Sequence, residues 1–271
     1  FYDTSHVFNV QHFGILLVIG SREAAYIYAI SSAGVTFAVT DACSRGTIRQ
    51  CGCDKTKESI SSRADWKWGG CSADIRYGMR IARKFMNSRE IEKDSRSLMN
   101  LHNNKAGRKA VKRNMLTDCK CHGVSGSCTI RTCWKTLSSF THIGDFLMKK
   151  YHTAKKVFPF WNQKAGLSKP TYLRVRTSKQ PNNKLRSRDL VYLQTSPNYC
   201  EVDLSLGSPG TKGRRCNQTS NGIGGCALMC CGRGYNTHQL KRIWQCNCKF
   251  QWCCDVMCNM CSEKLEVYTC K

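Results

Sequence analysis

The residues best suited to chemistry lie in Cys119-Lys-Cys121-His122-Gly123-Val-Ser125-Gly126-Ser127-Cys128-Thr-Ile-Arg131-Thr-Cys133-Trp134. Gly123 and Gly126 bracket Ser125, so the backbone there can reverse through dihedrals that side chains oppose. If Cys121 bonds to Cys128, the turn is closed at its base, and a Cys119–Cys133 bond would brace the stem. Such a design presents one hydroxyl on a rigid stalk. The competing chemistry is nucleophilic attack by Ser125 with His122 as base. Gly123-Val-Ser-Gly-Ser127 lacks the final glycine of a nucleophile elbow, and a disulfide loop provides neither an oxyanion hole nor a strand-to-helix turn. The reading is a presented hydroxyl, not an enzyme.

A second constellation is Cys246-Asn-Cys248-Lys-Phe250-Gln-Trp252-Cys253-Cys254-Asp-Val256-Met257-Cys258-Asn-Met-Cys261. Its cysteines are nearly symmetric about the centre. Cys248 with Cys258 and Cys246 with Cys261 would rung a hairpin, leaving Cys253 and Cys254 at the tip with only each other to bond. Phe250, Trp252, Val256 and Met257 crowd that tip. They either fill a small core or form a contact patch. A narrow ladder has no interior for them, so the patch is the stronger reading.

Cysteine usage sets the compartment. There are 20 cysteines, and the density is highest after Tyr199, as in a disulfide scaffold. A reducing cytosol would leave these thiols unpaired, whereas a secretory route oxidises them. Zinc is the competing use, because Cys51-Gly-Cys53, Cys246-Asn-Cys248 and Cys258-Asn-Met-Cys261 are close ligand pairs. The adjacent cysteines at 230–231 and 253–254 break the four-ligand grouping that structural zinc needs, so no metal is expected. Asn217-Gln-Thr219 is a glycosylation sequon inside the cysteine-dense part.

The charge balance is 43 Lys and Arg against 18 Asp and Glu. Lys105, Arg108, Lys109, Lys112 and Arg113 recur at helical spacing as the densest cluster. They either solvate a helix face or attract a polyanion. For an oxidised, secreted chain that polyanion is heparan sulfate or an anionic lipid headgroup and not nucleic acid.

The elements that position these sites divide in two. Residues 21–42 suit a helix capped by Ser21. Ile75, Met79, Ala82 and Met86 follow helical spacing after a second candidate cap, Ser72, and Leu98, Leu101, Ala110, Val111 and Met115 continue a long helical region. Phe140–Tyr151 is a further amphipathic helix. Residues 152–199 lack cysteine and read as a connecting region, with Leu190–Leu193 a short strand entering the second part. Beyond Tyr199, short segments between cysteines and glycines read as hairpins. The fold class is α+β: a helical N-terminal domain (1–178), a linker (179–195) and a small disulfide-rich β-hairpin domain (196–271). The longest early apolar run, Ile15–Ile19, is too short to cross a bilayer. The chain begins at Phe1 and is expected to be mature, trimmed or incomplete.

Several motifs together resemble the Wnt family of secreted signalling proteins. They are Ser21-Arg-Glu-Ala-Ala25, Trp68-Gly-Gly-Cys71, Leu98-Met-Asn-Leu-His-Asn-Asn104, the Ser125 loop, Ser196-Pro-Asn-Tyr-Cys200, Met229-Cys-Cys-Gly-Arg-Gly-Tyr235 and Cys248-Lys-Phe250 with Trp252-Cys-Cys254. Cys71-Ser-Ala-Asp-Ile-Arg-Tyr77 and Trp244-Gln-Cys-Asn-Cys248 look closest to the subfamily numbered seven. Two features depart from the pattern: residues 1–20 lack the upstream cysteine pair, which points to a missing or altered N-terminus, and Ile223-Gly-Gly225 replaces an acidic residue before glycine. The resemblance implies a two-domain, hand-like fold and a palmitoleoyl chain on Ser125, attached by the acyltransferase Porcupine. It also implies export by the carrier Wntless and binding to the cysteine-rich domain of Frizzled receptors through Ser125 and the Phe250, Trp252, Cys253, Cys254, Val256, Met257 fingertip. LDL-receptor-related co-receptors and heparan sulfate proteoglycans are the further partners implied. The setting is the extracellular space and matrix, with membrane association through the lipid only. The pairing it implies is 43–51, 53–71, 119–133, 121–128, 200–231, 216–226, 230–270, 246–261, 248–258 and 253–254. The rival class is a non-lipidated matrix protein that binds heparan sulfate.

Overall fold

The computed structural model describes residues 19–56, 66–92, 94–161, 170–175, 185–205, 208–222 and 224–271. The expectations for the first 18 residues, the domain boundary at 178/179 and Ile223 lie outside them. The described residues form two compact units, 19–196 and 197–271.

The first unit is built on α1 (Arg22–Ser44), with Ser21 as N-cap accepting a hydrogen bond from Ala24 N at 3.3 Å. The buried face of α1 consists of small residues: Ala25, Ala29 and Ala33, with Ser32, Thr36 and Thr40 between them. The threonine hydroxyls donate to the carbonyls four residues back, at 2.7 Å each, so they cost little on burial. A helix face this flat lets other helices come close. α2 (Ile75–Asn87) brings Gly78 against Thr36 and Thr40, and α3 (Ser95–Arg113) brings Gly107 onto the Ala29 carbonyl. A Cβ on Gly107 would lie 1.9 Å from Ala29 O, a backbone atom that cannot swing aside. Gly107→Ala is therefore expected to destabilise the unit by about 3 kcal/mol, the upper part of the overpacking range. Denaturant titration would read this as a lowered midpoint, and an unchanged midpoint would refute the close crossing. α4 (Phe140–His152), capped by Ser139, adds Ile143 and Leu147 to the core.

Two expectations need correction here. The N-cap of α2 is Asp74, whose carboxylate accepts from Tyr77 N at 3.0 Å. Ser72 instead accepts from Lys135 N at 3.1 Å, tying the strand layer to the loop. The helical region is not continuous either: α3 starts afresh at Asp94, which accepts from Ser97 N.

β1 (Trp66–Trp68), β2 (Leu116–Cys121) and β3 (Arg131–Thr136) form a sheet in the order β1-β3-β2, with β2 and β3 antiparallel. The stretch read as connecting is also structured. β4 (Lys155–Phe160) pairs antiparallel with β5 (Tyr172–Val175) and parallel with β6 (Val191–Tyr192). Val157, Leu173 and Val191 form a core with Ala24 and Met99. Asn103 clamps β6 from α3, donating to Val191 O at 2.9 Å and accepting from Val191 N at 3.0 Å. The 190–193 strand thus belongs to the first unit rather than opening the second. Its burial outweighs the polar composition around it. Glu23 accepts from Tyr151 Oη at 2.8 Å and Ser196 Oγ at 2.9 Å. Burial pushes this carboxyl's pKa up, but these hydrogen bonds prevail and hold it below the usual value.

The second unit contains β7 (Val202–Asp203) paired with β8 (Ser208–Pro209), then β9 (Arg215–Cys216), the short helix α5 (Cys226–Met229), and the long antiparallel pair β10 (Tyr235–Gln251) and β11 (Asp255–Cys270). Its buried cluster is Cys226, Cys230 and Cys270, flanked by Tyr235 and Tyr268. Sulfur takes the place of a hydrocarbon core. The bonds of this unit are Cys200–Cys231, Cys216–Cys226, Cys230–Cys270, Cys246–Cys261 and Cys248–Cys258. The three clustered sulfurs of Cys216, Cys230 and Cys270 are all committed to disulfides and offer no thiolate to a metal.

Candidate functional site

The Ser125 loop grows from the β2–β3 ladder. Cys119 and Cys133 face each other in register and are bonded, and Cys121–Cys128 closes the loop one step further out. Above that bond His122 N donates to Ile130 O at 2.7 Å and Gly123 N to Ser127 O at 2.8 Å. The reversal is then made by Ser125 itself, at φ 56° and ψ 27°, followed by Gly126 at φ 76°. A non-glycine residue in the left-handed region carries a local cost. The rigid base, with two bonds and a hydrogen-bonded rim, holds it there. Gly123 serves close approach: a Cβ there would sit 2.0 Å from Ser127 Oγ and 2.6 Å from Ser127 O. Ser125 is exposed, its neighbour Val124 is 90% exposed, and Ser125 Oγ makes no hydrogen bond among the described residues. Ser127 differs, lying 3.1 Å from Thr129 Oγ1. Cys43–Cys51 and Cys53–Cys71 brace other loops of the same unit.

The fingertip is the end of the β10–β11 hairpin. Gln251 pairs with Asp255, leaving Trp252, Cys253 and Cys254 as the turn. Phe250 and Val256 face each other, and Met257 opposes Lys249 on the opposite face. Trp252 is 95% exposed and Phe250 70%, with Val256 and Met257 also exposed. These residues are not core. The expected Cys253–Cys254 bond is absent: both thiols are free and exposed, with their sulfurs 3.5 Å apart. Adjacent cysteines bond only when the turn brings the sulfurs to about 2.05 Å. This turn, with φ of 70° and 86°, holds them at thiol contact distance. A bulge after Cys246 at Asn247, φ 49°, shifts the register below the tip. The exposed apolar surface extends further down than expected, to Met260, Ile243 and Leu240. No alternation of apolar and polar residues marks Leu240-Lys-Arg-Ile-Trp-Gln245, so only the length of the strand reveals that surface.

The basic cluster on α3 divides. Lys105, Lys112 and Arg113 are exposed, and Lys109 donates to Ser187 Oγ. Arg108 is a correction to the polyanion set. It is 5% exposed and donates to Ser32 Oγ at 3.1 Å and to Asn87 Oδ1 at 3.4 Å. Burial, with Arg83 nearby, lowers its pKa to about 10. The small face of α1 leaves the space that the guanidinium fills. Asn217 is exposed just after β9, and its Oδ1 accepts from Thr219 N at 3.0 Å and Thr219 Oγ1 at 2.9 Å.

A family profile described as the wnt family matches residues 2–271. The chain belongs to the Wnt family. Wnt-2 of Drosophila melanogaster is 49% identical over 279 residues, covering 100% of this chain and 79% of that protein. The solved structure of human WLS in complex with WNT8A is similar at 40% identity and a TM-score of 0.66, covering 93% of this chain and 79% of that one. The mixed helical and disulfide-rich β architecture is thus that of a Wnt, a family of secreted developmental signalling ligands. Among the described residues no helix is long and apolar enough to cross a membrane.

Proposed function

We propose that this Wnt chain is acylated on Ser125 with a monounsaturated fatty chain and binds the cysteine-rich domain of Frizzled receptors through two loops. The acyl chain supplies apolar affinity. The fingertip, formed by Phe250, Trp252, Val256 and Met257 with Cys253 and Cys254 in the turn, supplies side-chain selectivity. The observation that carries this reading is the exposed Ser125 hydroxyl, which makes no hydrogen bond among the described residues and is held at a left-handed φ on a doubly disulfide-braced loop. An acyltransferase needs access to that hydroxyl, and a braced loop loses little entropy when its lipid enters a groove. The similarity to the WNT8A complex supports carriage by a WLS-type protein during export, after acylation by a Porcupine-type enzyme. LDL-receptor-related co-receptors and heparan sulfate proteoglycans complete the proposed set of partners, in the extracellular space and matrix. Intact mass measurement of secreted protein tests the reading: one fatty acyl adduct mapping to Ser125 is expected, and an unmodified Ser125 peptide in receptor-active protein would refute it.

Asn217 is the proposed glycan site. An exposed Asx turn that places the Thr219 hydroxyl on the Asn217 side chain suits a sequon at the surface. Asn217→Gln is expected to lower the apparent mass by one glycan while leaving receptor affinity unchanged. A glycosidase-insensitive wild type would count against passage through the secretory route.

A further inference from the structure

We propose that the outer edge of β10 takes up an extended segment of a partner protein, one that alternates apolar with acidic side chains. Among the described residues β10 pairs only with β11, whose other side meets β9 at Tyr268 and Thr269. Two bonds at the base fix which way the backbone groups point. One step beyond the Tyr235–Cys270 pair, Lys271 N donates to Gly234 O at 3.1 Å, whereas Cys270 N turns away to Arg214 O at 2.9 Å. Bonded and non-bonded pairs alternate along an antiparallel ladder. Even-numbered residues of β10 therefore bond to β11, and Thr237, Gln239, Lys241 and Ile243 direct their N–H and C=O groups outward. The register is unbroken from Tyr235 to Cys246, so these groups form a regular row of the kind that a further strand completes.

The side chains say what that strand would carry. Every residue from Asn236 to Gln245 is exposed, so both faces of β10 are bare. Leu240 and Trp244 share one face with Leu265 across the ladder, and Arg242 stacks over the Trp244 ring at 5.5 Å. On the other face Lys241 stands directly opposite Lys264. Like charges so placed destabilise a ladder, and neither lysine forms an ion pair among the described residues. An acidic side chain beside Lys241 would relieve that repulsion, while apolar side chains on the opposite face would cover Leu240 and Trp244. A two-stranded ribbon is marginal by itself, and a third strand supplies what it lacks. A second copy of this chain fits less well. β10 carries Lys241, Arg242 and Lys249 and no acidic residue, so β10 against β10 gathers like charges. β10 against another copy's β11 is a head-to-tail contact that does not close and would build a polymer. Lys241 lies roughly 35 Å along the strand from Trp252, which separates this edge from the fingertip.

The test uses the full chain and a fluorescein-labelled peptide that alternates valine with glutamate, read by fluorescence anisotropy. Gln239→Pro removes one outward N–H and no bond to β11, and Lys241→Glu keeps the backbone while reversing the charge. Saturable binding to the wild type is expected, weakened about tenfold or more by each variant. A peptide alternating valine with lysine should not bind. N-methylation of one alternate set of peptide amides should abolish binding and of the other set should leave it, because only one edge of the peptide faces β10. No saturable binding by the wild type would overturn the proposal, as would binding that neither variant weakens. Equal binding by the two N-methylated peptides would reduce the contact to charge attraction and overturn strand addition. Sedimentation of the chain alone closes the test: self-association of the wild type that Gln239→Pro abolishes would give the edge to a second copy and overturn the assignment to a partner strand.

Discussion

Ser125→Ala is expected to fold, form its disulfides and carry its glycan, yet to lose receptor binding by about 100-fold or more. Ser125 Oγ makes no hydrogen bond among the described residues and the residue is exposed, so its removal leaves no buried group unsatisfied. Alanine at φ 56° adds a modest local cost, confined to a turn outside the core. The loss comes instead from the acyl chain, since each buried methylene contributes about 0.8 kcal/mol and a long chain roughly 10 kcal/mol before ordering costs. Association and chain immobilisation consume part of that gross term, and the remainder still exceeds the two decades expected. Export through the lipid-dependent carrier should fall as well, so the variant is best captured from lysate and compared with wild type handled in the same way. Ser127→Ala is the control. Ser127 is next to Cys128, with its hydroxyl within hydrogen-bond reach of Thr129, and the variant should keep both adduct and affinity. Wild-type receptor affinity in Ser125→Ala would sink the acylation reading.

Features that depend on near neighbours were legible in the sequence. Ser21 caps α1 because a short polar side chain precedes a helical run, and the Ser125 turn announces itself through glycines at 123 and 126. Even there one detail inverted: the left-handed residue is Ser125 as well as Gly126, a consequence of the braced base rather than of glycine content. What escaped depends on distant partners. β4 and β6 pair Lys155 with Val191 across a stretch whose Lys, Asn and Pro content reads as linker, and the strands are only six and two residues long. Burial of Val157, Leu173 and Val191 on Met99 decides them, and no local period encodes it. Arg108 misled for the same reason. Helical spacing groups it with its basic neighbours, while its partner Ser32 is 76 residues away. The motifs Ser21–Ala25, Leu98–Asn104 and Ser196–Cys200 now have structural reasons: Glu23 receives Ser196, and Asn103 clamps Val191. The thiols of Cys253 and Cys254 show the limit of counting cysteines, because parity cannot say whether a turn brings two sulfurs within bonding distance.

Trp252→Ala is expected to weaken receptor binding by about 1–3 kcal/mol, the hot-spot range for an aromatic that becomes buried at an interface, or roughly five- to 150-fold. The indole is 95% exposed in the free chain, so it contributes almost nothing to folding and its removal should leave secretion and acylation intact. The three-residue turn that carries it and the Cys248–Cys258 and Cys246–Cys261 bonds below hold the finger in shape before binding. Little conformational entropy is then lost on docking, so most of the apolar burial appears as affinity. Phe250 and Val256 lie on one face of the ladder and Met257 on the other, which lets the tip enter a pocket and touch both walls. Because the acyl chain supplies its share of affinity to any receptor with a lipid groove, the Trp252→Ala loss should vary among receptor ectodomains, whereas the Ser125→Ala loss should not. A panel of ectodomains titrated with both variants reads that difference directly. Unchanged affinity together with collapsed secretion in Trp252→Ala would mean that the residue supports the fold, and the fingertip would have no part in receptor choice.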